Sequence, residues 1–226
     1  MEAKDPPFVL EPGKTGLIVV DMQNDFVRAG APQEVPDARK TLPNLQRLIR
    51  RFRLAGDLIV YTKYVTGPKE TLVWTWSPEC APPLKSCWRG FRRLYADVGK
   101  ELEGPDIVEE LHPERGDYVI EKYGYDAFFH TGLDGILRAH HIEYLVVGGT
   151  VTQICVADTV HGAFHHGYRV VVVSDAVSSY DEELHRTSLR NIGLKYGRVL
   201  STDDVLAEVG GGLLGALPGS AERRER

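Results

Sequence analysis

Cysteine is scarce in this chain. Its 226 residues include three, Cys80, Cys87 and Cys155, beside only two methionines. An odd, sparse set argues against a disulfide framework and suits a reducing compartment. No CxxC pair is present, which speaks against a structural zinc site. Basic blocks are missing as well, and the net charge is −5. Nucleic acid is therefore not an expected partner. No apolar run approaches the roughly 20 residues that span a bilayer. Met1 to Pro7 is charged and proline-containing and lacks the apolar centre of a signal peptide. A cytoplasmic protein with no membrane partner is the expectation.

Hydrophobic residues make up 42% of the chain, enough for the core of one large α/β domain. Continuous apolar runs read as buried strands at 16–21, 58–62, 118–120, 144–147, 169–174 and near 199–200. Between them, apolar residues recur at helical spacing. Leu45, Leu48, Ile49 and Phe52 form one stripe, with Gly56 as its stop. Leu133, Ile136 and Leu137 mark a second. Val156, Val160 and Phe164, closed by Gly167, mark a third. Further helices are expected around 182–195 and 203–208. Such strands alternating with amphipathic helices predict a three-layer α-β-α fold with a mainly parallel, doubly wound sheet. No repeat or linker divides it, so 1–226 reads as a single domain with a frayed tail at 210–226. The segment 66–113 stands apart. It holds Trp74, Trp76 and Trp88, two cysteines and several prolines without clear periodicity. A loop of that length is expected to be a lid, a pocket wall or a subunit contact.

Three reactive side chains fall at equivalent topological places. Asp21 closes the first strand, Lys122 follows the short strand ending at Ile120, and Cys155 follows the strand ending at Val147. Ligands of open parallel sheets bind outside the carboxyl ends of the strands, so an acid, a cation and a thiol are expected to meet there. Gly148-Gly149-Thr150-Val151-Thr152-Gln153-Ile154-Cys155 reads as a strand end running into a helix with the thiol in its first turn. Helix dipole, unpaired N–H groups and a nearby ammonium all favour thiolate, the nucleophilic form. A carboxylate in reach serves as general base, and backbone N–H groups of Val151 and Cys155 are candidates for an oxyanion hole.

These residues carry a resemblance. Asp21-Met22-Gln23-Asn24-Asp25-Phe26, Glu121-Lys122-Tyr123-Gly124-Tyr125-Asp126-Ala127-Phe128 and Gly149 to Val156 resemble, in order, the three motifs of the isochorismatase-like cysteine hydrolases. That group includes nicotinamidases, N-carbamoylsarcosine amidohydrolases, biuret hydrolases and ureidoacrylate amidohydrolases. The resemblance spans roughly Leu17 to Leu206. It implies a catalytic set of Asp21, Lys122 and Cys155, a cis peptide between Thr150 and Val151, and a homo-oligomer, dimer or tetramer. Two departures narrow it. Nicotinamidase-type members carry an aspartate and histidines for a metal just after the second strand, whereas Tyr61 to Thr66 holds no histidine. No metal and no cofactor are therefore expected. Cys155 favours C–N hydrolysis of an amide over vinyl-ether cleavage. The run Phe128-Phe129-His130-Thr131 with Leu133-Asp134 looks most like the branch cleaving carbamoyl and ureido groups. The expected function is a cysteine amidohydrolase of a small linear amide, working through a covalent acyl-enzyme. Its rivals are a nicotinamidase-type aromatic amidase, a Cys–His hydrolase with His130 as base, and a binding protein on a decayed enzyme scaffold.

Candidate substrate contacts are Gln23, Phe26, Trp74, Tyr125 and Phe128. Core packing is the competing reading for Phe26, and a subunit interface for the three tryptophans. Asn24, Asp25 and Asp126 read as structural. His161 and His165, four apart, read as solvated or facing a subunit. Cys80 and Cys87 read as structural.

Overall fold

Thr15 to Val20 sends alternate side chains into two different cores, the local reason for a sheet covered on both faces. Leu17 and Val19 join one apolar cluster, and Ile18 and Val20 the other. The structure, a computed structural model, describes residues 6–210. This first strand, β1 (Thr15–Val20), is buried throughout. A single turn, α1 (Asn24–Val27), leads to the long helix α2 (Ala38–Ala55). Leu45, Leu48, Ile49 and Phe52 form its buried stripe, and Gly56 closes it in a left-handed conformation with φ 71°. Strand β2 (Ile59–Tyr64) follows.

The 66–113 segment is ordered. It contains the turn α3 (Val73–Trp76) and an antiparallel hairpin, β3 (Arg92–Tyr95) with β4 (Lys100–Glu103). That hairpin was not expected. Its residues are mostly charged and exposed, so no apolar alternation marks it. The chain then resumes its regular wind: β5 (Tyr118–Lys122), α4 (Leu133–Ala139), β6 (Tyr144–Thr150), α5 (Ala157–His165), β7 (Arg169–Ser178), α6 (Glu182–Lys195), β8 (Gly197–Leu200) and α7 (Thr202–Gly210). Asp181 caps α6 by accepting from the Leu184 N–H at 2.8 Å. The tail at 211–226, expected to fray, lies outside the described residues. Among those described, no helix is long and apolar enough to cross a membrane.

The sheet order is β5-β2-β1-β6-β7-β8, every pair parallel. Helices α2 and α7 cover one face, and α4, α5 and α6 the other. The order reverses between β1 and β6, and at such a switch point a crevice opens above the carboxyl ends of both strands. The strands come very close there. Gly149 has φ 116°, and a Cβ on it would stand 2.1 Å from the Val20 carbonyl oxygen. Only glycine fits that approach.

Candidate active site

Asp21 is the first residue past β1, and its φ of 47° turns the chain sharply there. Aspartate tolerates this left-handed region better than most residues. The Gln23 N–H closes the turn onto the Asp21 carbonyl at 2.8 Å. The carboxylate is fully buried and held in one orientation. Thr62, at the matching place on β2, donates its hydroxyl to Oδ1 at 2.6 Å and accepts the Asp21 N–H at 3.1 Å. Oδ2 faces the Lys122 ammonium at 2.7 Å, with both side chains 0% exposed. Lys122 also donates to the Gly124 carbonyl at 3.1 Å and sits 4.9 Å from the centre of the Tyr64 ring.

Cys155 approaches this pair from β6. The Thr150–Val151 peptide is cis, and residues Thr152–Val156 form a π-type turn instead of the first turn of an α-helix. The N–H groups of Ile154 and Val156 both reach the Val151 carbonyl, at 3.1 and 3.2 Å. Such wide turns recur at functional sites. The thiol stands close enough to Asp21 and Lys122 for both to act on its proton.

The protonation state departs from the expectation of a resting thiolate. Burial pushes the Cys155 thiol well up. Lys122 pulls it back down, and Asp21 pushes it further up. Burial, the largest influence, works to discharge Lys122, but Asp21 and Cys155 together outweigh it and hold the ammonium protonated. One cation faces two groups able to carry negative charge, and Asp21 takes it. The resting Cys155 is thus a thiol, and the Lys122 ammonium stays paired with Asp21 at 2.7 Å. Moving the thiol proton to Asp21 leaves the net charge of the cluster unchanged, which spares the low-dielectric interior an uncompensated ion.

A cavity of about 350 Å³ opens onto this cluster. That is the size of a small-ligand pocket. Val151, Ile154 and Cys155 form its inner end, with Phe26, Tyr64 and Tyr125 along one wall. Phe26–Tyr64 and Tyr64–Tyr125 have ring centroids 6.3 and 5.8 Å apart. Pro32, Gln33, Glu34, Trp76, Ser77, Glu79 and Tyr180 complete the lining.

The isochorismatase domain model matches residues 15–204. The chain belongs to the isochorismatase domain family. Family members similar to it include the ureidoacrylate amidohydrolase RutB of Pseudomonas syringae pv. syringae, 30% identical, with 90% of this chain and 87% of the relative covered. Among solved structures, a cysteine hydrolase from Pseudomonas syringae pv. phaseolicola superposes with a TM-score of 0.80 at 24% identity, covering 92% of this chain and 99% of that one. The N-carbamoylsarcosine amidase of Thermoplasma acidophilum gives a TM-score of 0.69 at 30% identity, covering 84% and 97%.

Not every expected family site residue reaches the cavity. Phe26 and Tyr125 line it. Gln23 does not. Its amide is used on both sides, donating to the Tyr64 carbonyl at 2.9 Å and accepting the Tyr64 N–H at 2.7 Å, which extends the β1–β2 pairing by one rung. Trp74 is also displaced from the expected role. It stacks on Trp88 at 5.4 Å and donates to the Thr66 carbonyl, while Trp76 takes the place in the wall. Phe128 packs on His166 and Tyr168 and does not line the cavity. His130 is exposed beside Phe129 and absent from the lining, so the geometry does not favour a Cys–His pair.

Asp25 and Asn24 are braces. Asp25 is fully buried, accepts the Cys87 N–H at 2.6 Å and the Tyr95 hydroxyl at 2.7 Å, and faces the Arg93 guanidinium at 2.9 Å. Asn24 donates to the Glu103 carbonyl. Together they fasten the hairpin segment beside the site. Asp126 accepts the Phe128 N–H at 2.8 Å. A metal does not fit. Beyond Thr62 the chain offers Lys63, whose ammonium is paired with Asp106, and the Tyr64 ring. Among the described residues no three His, Cys, Asp or Glu side chains converge.

Sequence reasoning missed Thr62, Gln33, Glu34, Glu79 and Tyr180. Thr62 had a readable signal, a hydroxyl at the end of the strand neighbouring Asp21. The others sit on loops whose approach depends on tertiary packing.

Proposed function

We infer that the chain is a cysteine hydrolase cleaving the C–N bond of a small amide through a covalent acyl-enzyme. One observation carries this reading. The buried Asp21–Lys122 pair, 2.7 Å apart, stands beside Cys155 at the inner end of a cavity that opens outward. Asp21 takes the thiol proton as sulfur attacks the carbonyl carbon. The new charge on oxygen is held by the backbone N–H groups of Val151 and Cys155. As the tetrahedral adduct collapses, the C–N bond breaks and Asp21 returns its proton to the leaving nitrogen. Ammonia or an amine departs, and a thioester or thiocarbamate remains. Asp21 then draws a proton from water as its oxygen attacks the acyl carbon, the C–S bond breaks as this second adduct collapses, and Asp21 returns the proton to the departing sulfur. Lys122 holds Asp21 in place between these transfers. Phe26 and Tyr125 pack against the bound substrate.

The relatives named for ureidoacrylate and N-carbamoylsarcosine support a carbamoyl or ureido group as the scissile unit. Exposed Phe129, Phe164 and Leu194 offer apolar surface for a homo-oligomer, which light scattering measures. Buried, free Cys80, Cys87 and Cys155 suit a reducing, cytoplasmic setting. The deciding test is ammonia release from a panel of ureido acids, alkylureas, biuret and aromatic amides, by the wild type and Cys155→Ala. Turnover is expected for the wild type alone. Equal turnover by the variant overturns the mechanism.

A further inference from the structure

The cavity carries a charge pattern that its relatives' substrates do not suit. Ureidoacrylate and N-carbamoylsarcosine each bear a carboxylate, and recognition of a carboxylate calls for an arginine or lysine. Among the described residues, none lines this cavity. Its charged lining residues are Glu34 and Glu79. Glu34 is satisfied, accepting from Arg39 at 2.6 Å and from the Gly30 N–H at 2.7 Å. Glu79 is half-buried, and among the described residues its carboxylate has no ion-pair or hydrogen-bond partner; only its backbone carbonyl is engaged, by the Ser86 N–H. Lys122, the nearest cation to the thiol, is bound to Asp21 and shielded by the Tyr64 ring.

Aromatic faces complete the pattern. Trp76 and Tyr180 are 78% and 58% exposed, so both stand towards the mouth, while the linked rings of Phe26, Tyr64 and Tyr125 run inward. Ring faces attract cations, and a free carboxylate among them adds to that attraction. An anion would meet both repulsion from Glu79 and desolvation without a partner.

Resting on the amidohydrolase reading, we propose that this cavity takes a small amide or urea whose far end is a cation, an amine or quaternary ammonium, with Glu79 and Trp76 as its specificity-determining residues. The scissile carbonyl lies at Cys155 and the cationic end between Trp76 and Glu79. Carboxylate-bearing ureido acids are disfavoured.

The test uses three ureas of nearly equal shape: 2-aminoethylurea as cation, propylurea as neutral compound and 3-ureidopropionate as anion. Two readouts are taken, ammonia release and protection of Cys155 from iodoacetamide. The expected order in both is cation, then neutral, then anion, with about tenfold between neighbours, the scale of one partly desolvated charge interaction. Glu79→Gln and Trp76→Ala should each compress the cation-to-neutral ratio towards one. Glu79→Lys should invert the order of cation and anion. Any other order in the wild type, or ratios untouched by all three variants, overturns the proposal. Turnover in the wrong order sinks only the proposal. Absence of turnover for every urea, here and across the wider amide panel, sinks the amidohydrolase reading, and the protection assay still decides the preference of the cavity.

Discussion

Replacing Lys122 with methionine isolates what the buried ion pair does. Lys122 and Asp21 are both 0% exposed and 2.7 Å apart. At an effective dielectric of about 20 their attraction is about 6 kcal/mol, and it is set against several kcal/mol of lost hydration per ion. The pair nets little, but half of it is costly. Lys122→Met leaves the Asp21 carboxylate buried and uncompensated, a loss of about 3–5 kcal/mol. The variant escapes by protonating Asp21, and at pH 7 that proton costs about 4 kcal/mol against an ordinary carboxylate of about 3.9. The destabilisation should therefore be capped near 4 kcal/mol at pH 7. It should shrink by about 1.4 kcal/mol for each pH unit down towards 4, because the folded variant holds a proton that its unfolded chain does not. Asp21→Asn combined with Lys122→Met removes both charges and should stand within about 2 kcal/mol of the wild type. Every one of these variants should lose turnover by about a thousandfold or more, since the base is gone or protonated. Urea unfolding of wild type, both single variants and the double variant at pH 5 and 7, with ammonia release alongside, completes the cycle. A Lys122→Met cost below about 1 kcal/mol, or one independent of pH, or turnover above a tenth of wild type, would refute the reasoning.

Three other outcomes are expected. Thr62→Val keeps the shape of the side chain but strips the hydroxyl that orients Asp21, so turnover should fall about ten- to a hundredfold, at about 1–3 kcal/mol of stability measured by denaturant. Gly149→Ala drives a methyl into the Val20 backbone at a positive φ, so the variant should lose more than about 3 kcal/mol or fail to accumulate folded, as read by circular dichroism. Cys155, held up by burial, keeps its proton after an unfolded thiol of about 8.5 has lost it, so its contribution to stability is complete below about pH 8.5 and drains away above it. Melting curves from pH 7 to 10 should accordingly fall less steeply for Cys155→Ala than for the wild type.

The inner strands β1, β2, β6 and β7 were legible because most of their residues are buried and read as apolar runs, whereas the edge strands β5 and β8, only partly buried, showed as short apolar stretches. Leu17 to Val20 of β1 and Val170 to Val173 of β7 send alternate residues into the two cores, so both stretches are apolar throughout. Asp21, Lys122 and Cys155 were legible because each follows such a run, and the parallel wind gathers strand ends. The hairpin escaped because charged residues hold it through one buried carboxylate rather than through an apolar face. Gln23 and Phe128 were misjudged for a related reason. Adjacency in a motif says which residues travel together, while the pleat and the turn at Asp21 decide which of them face the crevice. The protonation state of Cys155 needed the third dimension as well, because burial, with Lys122 already paired to Asp21, outweighs what the local helix turn offers.

Asp25 gives this fold a seam. Trp76, Ser77 and Glu79 of the cavity wall belong to the segment between β2 and β5, and the reactive end belongs to the sheet. A single carboxylate, four residues past Asp21, ties Cys87, Arg93 and Tyr95 of the former to the latter. Part of what the molecule admits and all of how it reacts are thereby built on separate stretches of chain, with Asp25 as their most connected junction. A descendant or a designer can exchange the wall as a cassette and inherit the chemistry untouched, provided the new stretch still brings an amide, a hydroxyl and a guanidinium to Asp25.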